Sequence, residues 1–158
     1  MRDLFNMLLK LEFTISCCES ITAGLFMSKL AEISGASKVF KGGIVSYWNE
    51  VKEKLVGVDK SIIDSFGVVS AKCAEAMAIN VANKFKTNVA VSFTGNAGPD
   101  TLEGKEAGLI YSTIKINDEI YTFEDKLSGS RNEIRNEIVE ITAQRLTNFL
   151  RNIYNSRL

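Results

Sequence analysis

Apolar runs of strand length alternate along this chain with the spaced apolar positions of helices, and the run from Asn88 to Phe93 is the most continuous. A continuous apolar strand is typical of the centre of a sheet that is covered on both faces. Two earlier runs, Phe13 to Cys17 and Phe40 to Tyr47, are each followed by a helical pattern. This alternation predicts a mostly parallel sheet between two helical layers. The predicted helices cover Leu4 to Leu9, Phe26 to Ile33, Asn49 to Val56, Asp59 to Phe66 and Ser70 to Phe85.

The last part of the chain has a different pattern. Two β-rich runs, Gly108 to Ile116 and Glu119 to Lys126, are joined by the compact turn signal Asn117-Asp118, which predicts an antiparallel hairpin. A capping box at Ser130 then opens a long amphipathic helix that should cover one face of the sheet. We therefore expect residues 1–158 to form one α/β domain, a three-layer α/β/α sandwich with a mixed, mostly parallel sheet and one antiparallel hairpin.

Charge and cysteine content narrow the classes of function. Lysine plus arginine equals aspartate plus glutamate, at 19 each, so the overall charge favours neither nucleic acid nor an anionic membrane. No apolar run reaches transmembrane length and the first residues do not form a signal peptide, so we expect a cytoplasmic protein. Of three cysteines, Cys17 and Cys18 are adjacent, which supports neither a disulfide framework nor a tetrahedral metal site. We expect no metal and no cofactor.

Ser20 follows the first strand, where the chain turns toward a helix, so its hydroxyl should project from the end of the sheet. Free N–H groups at such a junction favour anions and developing negative charge. The chain contains no histidine. This excludes the Ser-His-Asp and Cys-His arrangements and leaves lysine, tyrosine or a carboxylate as the base of a serine enzyme. A helix N-cap is the competing interpretation of the same serine.

A second strand-to-helix junction lies between Ser46 and Lys52. Such junctions share the carboxyl edge of an open sheet, so Ser20, Tyr47 and Lys52 can converge in one crevice. The glycine-rich segment from Thr94 to Gly104 leaves the central strand at the same edge and can present backbone N–H groups to phosphate. It matches neither the Walker pattern nor the dinucleotide fingerprint. These residues by themselves indicate a Ser-Lys hydrolase.

The motifs resemble the C-terminal domain of the competence/damage-inducible protein CinA, a family of nicotinamide-nucleotide amidohydrolases (NMN deamidases). The family pattern Ala-Glu-Ser-Cys-Thr-Gly-Gly appears here as Cys18 to Gly24, with departures at Cys18, Ile21 and Ala23. The resemblance runs from about Phe13 to Asn148. Since the family usually has glycine at the position of Ala23, we expect the added methyl group to narrow the approach of a ligand to the backbone. Further matches are Tyr47, Asn49, Lys52, the loop Thr94 to Pro99, Gly108, Ser128 to Arg131 and Arg135.

The resemblance implies deamidation of nicotinamide mononucleotide (NMN) to nicotinic acid mononucleotide and ammonia, in pyridine-nucleotide recycling. Ser20 is the expected nucleophile and Lys52 its base, with Tyr47 bridging or orienting the pair. Glu19 is expected to face the cationic pyridinium, and Arg131 to bind the phosphate together with the loop after the central strand. The full set of expected substrate contacts is Glu19, Ile21, Thr22, Gly24, Asn49, Thr94, Gly95, Asn96, Ala97, Gly98 and Arg131.

Two other functions stay open at this point. A catalytically weak or inactive nucleotide-binding or regulatory module would fit a loss of activity at Ala23, and ligand stabilisation without turnover would identify it. A structural role in DNA uptake or damage responses is suggested by the family name alone, and zero net charge argues against direct DNA binding. We expect NMN as the small-molecule partner, no nucleic-acid or membrane partner, and a homo-oligomer, namely a dimer.

Overall fold

A computed structural model describes residues 1–158. None of its helices combines the length and the hydropathy that a membrane span requires. Short 3₁₀ and π-helical segments cover Ala36–Lys38 and Lys52–Val56. The regular elements are α1 (Arg2–Leu11), β1 (Ile15–Glu19), α2 (Leu25–Ala31), β2 (Phe40–Val45), α3 (Asn49–Val51), α4 (Lys60–Phe66), α5 (Ala71–Phe85), β3 (Val89–Gly95), β4 (Leu109–Ile116), β5 (Glu119–Lys126) and α6 (Arg131–Ser156).

The five strands form one sheet in the order β2-β1-β3-β4-β5. Strand β1 is parallel to both of its neighbours, whereas β4 is antiparallel to β3 and to β5. Strand β4 is therefore the one strand that runs against the other four. This confirms the predicted mixed, mostly parallel sheet with an antiparallel hairpin at its end.

Helices cover both faces of the sheet, because side chains along each strand alternate between the two faces. On one face Val91 and Phe93 of β3 join the large core that α1, α2 and α6 complete, and the rings of Phe93 and Phe26 lie 5.7 Å apart. On the other face Ala90 packs into a second cluster with Met77 of α5. The three-layer α/β/α sandwich that the sequence predicts is confirmed.

Local helix signals also match the structure. The Ser70 hydroxyl accepts a hydrogen bond from the Cys73 N–H at the start of α5, and the Asp59 carboxylate accepts one from the Ser61 N–H at the start of α4. The capping box of Ser130 is formed as predicted. These caps satisfy backbone N–H groups that the first turn of a helix leaves without a partner.

The strand ends differ from the prediction by one or two residues. Strand β1 continues to Glu19, because Glu19 pairs with Val45 on one side and with Phe93 on the other. Strand β2 ends at Val45 rather than Tyr47, since its neighbour β1 ends at Glu19, the residue that pairs with Val45. The consequence is that β1, β2 and β3 reach the same edge of the sheet in register.

The connections around β1 create a crevice at this edge. The β1–α2–β2 connection crosses the face that carries the large core, whereas the β2–α5–β3 connection crosses the opposite face. Chain segments that leave adjacent strands toward opposite faces separate at the carboxyl ends of those strands. In open α/β sheets ligands bind at such a switch point.

Candidate active site

Three loops meet at the carboxyl edge of the sheet, as the sequence predicts. The Ser20 N–H donates to the carbonyl oxygen of Phe93 over 3.0 Å, and the Ser46 N–H donates to that of Glu19 over 2.8 Å. These bonds continue the pairing of β1 with β3 and with β2 by one residue. They place the residues that follow each strand side by side.

Lys52 contacts Ser20 directly. The Lys52 Nζ donates a hydrogen bond to the Ser20 Oγ over 3.0 Å and another to the backbone oxygen of Ser46 over 2.7 Å. Only 1% of Lys52 is exposed, and both partners of its amine are uncharged. Burial lowers the pKa of Lys52 below its ordinary value, because removal from water disfavours the ammonium form. The predicted pair of serine and lysine is thus assembled with a lysine that loses its proton more readily.

The helix that carries Lys52 is irregular. The sequence predicts one helix from Asn49 to Val56, whereas the structure has one short α-helical segment, α3, followed by a π-helical segment from Lys52 to Val56. π-Helical turns are rare and are frequently found at functional sites. Gly57, at a positive φ of 84°, ends this segment.

Ser20 is not a helix N-cap. Helix α2 begins only at Leu25, and Gly24 occupies its N-cap position with a φ of 93°. The Ser20 hydroxyl therefore has no capping role, and the competing interpretation of this serine is wrong. The three residues between the serine and the cap form an irregular turn that leaves the hydroxyl facing Lys52.

Glu19 is placed differently from the expectation. Its carboxylate accepts three hydrogen bonds from the start of α2, from the N–H groups of Gly24 (3.0 Å), Phe26 (3.2 Å) and Met27 (2.8 Å). The side chain is fully buried. A negative charge is favourable there because the first N–H groups of a helix lack partners and carry its positive dipole end. The predicted contact of Glu19 with a substrate cation is therefore wrong, since no part of the carboxylate is accessible.

Two free backbone N–H groups follow Ser20 in the turn. The Ser20 N–H is occupied by Phe93, whereas the N–H groups of Ile21 and Thr22 donate to no atom of the protein. Both residues are almost fully buried, so these donors have no competing contact with bulk water. Ile21 lines the cavity above Ser20 and Thr22 does not, so the N–H of Ile21 is the cavity-exposed donor of a candidate oxyanion site, which is narrower than the range from Ser20 to Thr22 that the sequence suggests.

Arg135 of α6 donates hydrogen bonds to the backbone of the turn that follows Ser20. Its Nε donates to the backbone oxygen of Ile21 over 3.0 Å, and its Nη2 donates to that of Thr22 over 3.1 Å. The Ile21 carbonyl belongs to the same peptide group as the Thr22 N–H. A cation on the carbonyl polarises that group and fixes the direction of its N–H, so Arg135 is a positioning residue for the candidate oxyanion site.

Tyr47 lies at the rim of the site and contacts neither Ser20 nor Lys52 through a hydrogen bond. Its hydroxyl accepts a hydrogen bond of 2.8 Å from Arg131, and 52% of the residue is exposed. The second hydrogen bond of the lysine amine goes to the Ser46 carbonyl and not to the tyrosine hydroxyl. The predicted bridging role of Tyr47 is therefore wrong for this arrangement.

A cavity of about 250 Å³ opens over the Ser20 hydroxyl. A neighbouring cavity of about 420 Å³ shares Ala97 and Arg131 with it and reaches the start of α6. Together they match the size of small-molecule sites, roughly 300–1,000 Å³. The first cavity is lined by Ser20, Ile21, Tyr47, Gly95, Asn96, Ala97, Asp100, Leu102 and Arg131.

Two polar side chains, at the end of β3 and in the loop after it, are bonded to backbone groups of the protein. The Thr94 hydroxyl donates to the Val68 backbone oxygen over 2.6 Å, and the Asn96 amide bonds to the backbone of Leu102 and Lys105. Direct substrate contacts from the Thr94 and Asn96 side chains, as the sequence analysis expected, would break these bonds. What the loop offers a ligand instead is backbone, chiefly the unpartnered N–H groups of Ala97 and Gly98.

Close backbone packing explains Gly95 at the end of β3. A Cβ atom at Gly95 would lie 2.6 Å from the backbone oxygen of Leu109, so any side chain would push β3 and β4 apart. Gly98 has a positive φ of 77°, and its backbone oxygen accepts a 2.9 Å hydrogen bond from Arg131. Both glycines shape the wall of the site.

Six of the expected substrate contacts do not line the cavity above Ser20, namely Glu19, Thr22, Gly24, Asn49, Thr94 and Gly98. Asn49 is exposed on α3, and Gly24 serves as the N-cap of α2. Ala23 is also exposed, so its methyl group does not narrow the cavity, contrary to expectation. Its effect is on the backbone, because a φ of 46° is unfavourable for a residue with a Cβ atom.

Cys18 remains an unsuitable nucleophile. The residue is fully buried, and burial raises the pKa of its thiol to about 12. A thiolate is therefore scarce at neutral pH, and Cys18 does not line the cavity. This leaves Ser20 as the candidate nucleophile of the site.

Comparison with known proteins agrees with the motifs. A model of the CinA C-terminal domain matches residues 1–150. The chain belongs to the CinA C-terminal domain family. A CinA relative of Listeria monocytogenes serotype 4a (strain HCC23), named as a competence-damage inducible protein, is 44% identical over 145 residues, which cover 91% of this chain and 35% of the relative. The chain thus spans about a third of the length of that relative.

Other similar proteins are close to this chain in length. The "Protein MG115 homolog" of Mycoplasma pneumoniae (strain ATCC 29342 / M129 / Subtype 1) is 40% identical over 147 residues, covering 92% of this chain and 94% of the relative. The crystal structure of the competence/damage inducible protein CihA from Agrobacterium tumefaciens superposes with a TM-score of 0.88 at 32% identity, covering 92% of this chain and 90% of that one. The CinA fold is therefore shared over nearly the whole chain.

Proposed function

We propose that this CinA-family domain is an amidohydrolase that converts NMN to nicotinic acid mononucleotide and ammonia. The observation that carries the proposal is the 3.0 Å hydrogen bond from the buried Lys52 amine to the Ser20 hydroxyl, beside two free N–H groups. A nucleophile, a base and oxyanion donors held close together are the requirements of acyl transfer. The geometry supports acyl transfer in general. The choice of NMN as the amide substrate rests on the family resemblance.

In the first step, the neutral Lys52 amine takes the proton of Ser20 as the Oγ attacks the carboxamide carbon. A C–O bond forms, and the electron pair of the carbonyl moves onto its oxygen. The N–H groups of Ile21 and Thr22 then stabilise the oxyanion, and each such donor is typically worth ~3 kcal/mol of barrier.

In the second step, the tetrahedral intermediate collapses. The C–N bond breaks, the Lys52 ammonium gives its proton to the leaving nitrogen, and ammonia departs from an acyl-serine. Water then attacks the acyl carbon while Lys52 again accepts a proton, which returns to Ser20 as the acid product leaves. One amine thus serves as base and acid in both halves of the reaction.

Arg131 is the cation best placed for the phosphate. Two of its five N–H donors are occupied, by Gly98 and Tyr47, so three are open to a ligand. The start of α6 is less available, since Ser130 and Glu133 already cap it and Glu133 adds a negative charge. The phosphate would therefore lie in the second cavity against Arg131 and the loop N–H groups of Ala97 and Gly98.

Ser20→Ala and Lys52→Met should each abolish ammonia release from NMN while the chain stays folded. Lys54→Met is the matched control, because Lys54 lies two residues further along the same segment, is exposed and pairs only with Glu50. The assay is enzymatic detection of ammonia, with circular dichroism to verify folding. Turnover retained by either active-site variant would refute the assigned roles. Thermal stabilisation of the natural chain by NMN without ammonia release would favour the regulatory module instead.

A further inference from the structure

The charge on the wall of the Ser20 cavity is unevenly distributed. Among its lining residues, Asp100 and Arg131 are the two that carry a formal charge. The Asp100 carboxylate takes part in no ion pair within the chain. Glu19, by contrast, uses its carboxylate entirely on the start of α2. The cavity therefore has one free anionic group and one partly free cationic group.

We propose that Asp100 forms a cation subsite, which makes this cavity prefer amides whose ring carries a fixed positive charge over neutral amides. The inference rests on the proposed function and deepens it. Asp100 and Ser20 line the same cavity, so a ring bound there can lie within reach of both. In a pyridinium-3-carboxamide the ring nitrogen and the carboxamide stand in a meta relation, which places the charge inside the cavity when the carbonyl meets Ser20.

The neighbouring charges fit a ligand with both signs. Arg131 has open donors for an anionic group and lines both cavities, whereas Asp100 lines only the one that holds the nucleophile. A cation bound near Asp100 would also favour the uncharged form of the buried Lys52 amine, because like charges repel. The substrate charge would therefore assist the base that the reaction needs.

The size of the effect follows from exposure. Asp100 is exposed, so water screens its attraction for a ring cation. Two unit charges about 4 Å apart in water attract enough to change an equilibrium roughly fivefold, and partial exclusion of water increases this. We expect a change of about fivefold to tenfold, which should shrink at high salt.

The test is Asp100→Asn, which keeps the size of the side chain and removes its charge. We expect the KM for NMN to rise about fivefold to tenfold with kcat changed less than twofold. Ligand-observed NMR titrations should show the same loss of affinity for 1-methylnicotinamide, a cation, and less than a twofold change for neutral nicotinamide. The matched control is Asp118→Asn, since Asp118 is an exposed acid in the β4–β5 turn at the opposite edge of the sheet.

Each outcome decides the inference. An unchanged KM for NMN, or equal weakening of the cationic and the neutral ligand, would overturn it, and so would a natural chain that shows no preference for the cation. If the natural chain releases no ammonia from NMN, the proposed function fails. The comparison of the two ligands then still decides whether Asp100 forms a cation subsite.

Discussion

Replacement of Arg135 by methionine tests whether the oxyanion site depends on a group that never touches the substrate. The variant keeps the aliphatic stem and loses the hydrogen bonds to the backbone oxygens of Ile21 and Thr22. If these bonds fix the direction of the Thr22 N–H, their loss removes about one oxyanion donor. We expect kcat to fall about 10²-fold, which corresponds to ~3 kcal/mol of barrier.

The loss of folding stability should be smaller than the loss of activity, and the two can be measured separately. Arg135 is half-buried, and hydrogen bonds from a charged group to backbone oxygens typically contribute about 1.5–3 kcal/mol each when buried, less when water competes. We therefore expect a loss of about 1–2 kcal/mol, or roughly 2–8 °C in Tm for a chain of this length. The protein remains folded at assay temperature, so the fall in kcat does not arise from unfolding.

Steady-state ammonia release and a thermal scan give the two quantities. Arg145→Met is the control, because Arg145 lies on the same helix and loses two bonds to Asp125, of 2.7 and 2.8 Å, away from the site. It should lose comparable stability and keep its kcat. Since the oxyanion forms only in the transition state, the KM of the Arg135 variant should stay nearly constant. A raised KM with normal kcat would refute this reasoning and make Arg135 a ligand-binding residue.

Three further predictions concern Lys52, Ala23 and Tyr47. Because burial lowers the pKa of Lys52, kcat/KM should rise with pH along a limb whose midpoint lies below 10.5. Between the lowered pKa of folded Lys52 and 10.5, the unfolded chain binds a proton that the folded chain does not. The unfolding free energy should therefore rise with pH in that window and stay level below it. Urea unfolding of the natural chain, compared with Lys52→Met, measures this. Ala23→Gly should raise the unfolding free energy by about 0.5–1 kcal/mol and leave kcat unchanged, since it relieves a positive φ at an exposed residue; a loss of stability on denaturation would contradict this. Tyr47→Phe frees one Arg131 donor from its 2.8 Å bond, so KM for NMN should change severalfold and kcat little, and a large fall in kcat would restore a direct catalytic role.

The sequence by itself determined the elements and their order. The cap at Ser70 and the hairpin at Asn117-Asp118 depend on interactions between residues two or three positions apart, so local patterns suffice to predict them. The meeting of Ser20 with Lys52 was also predictable. Both follow parallel neighbouring strands, and the carboxyl ends of such strands share an edge whatever their side chains are.

Only the tertiary structure decided which way the functional groups point and what they bind. Glu19 and Ser20 are adjacent in sequence, yet one side chain enters the start of α2 and the other faces Lys52, because consecutive residues leave a strand in opposite directions. Arg135 bonds to residues of the Ser20 turn that lie at least 113 positions earlier in the chain. Arg131 bonds to Tyr47, which lies 84 positions earlier. Such contacts depend on how α6 packs across the finished sheet, and no local pattern encodes that packing.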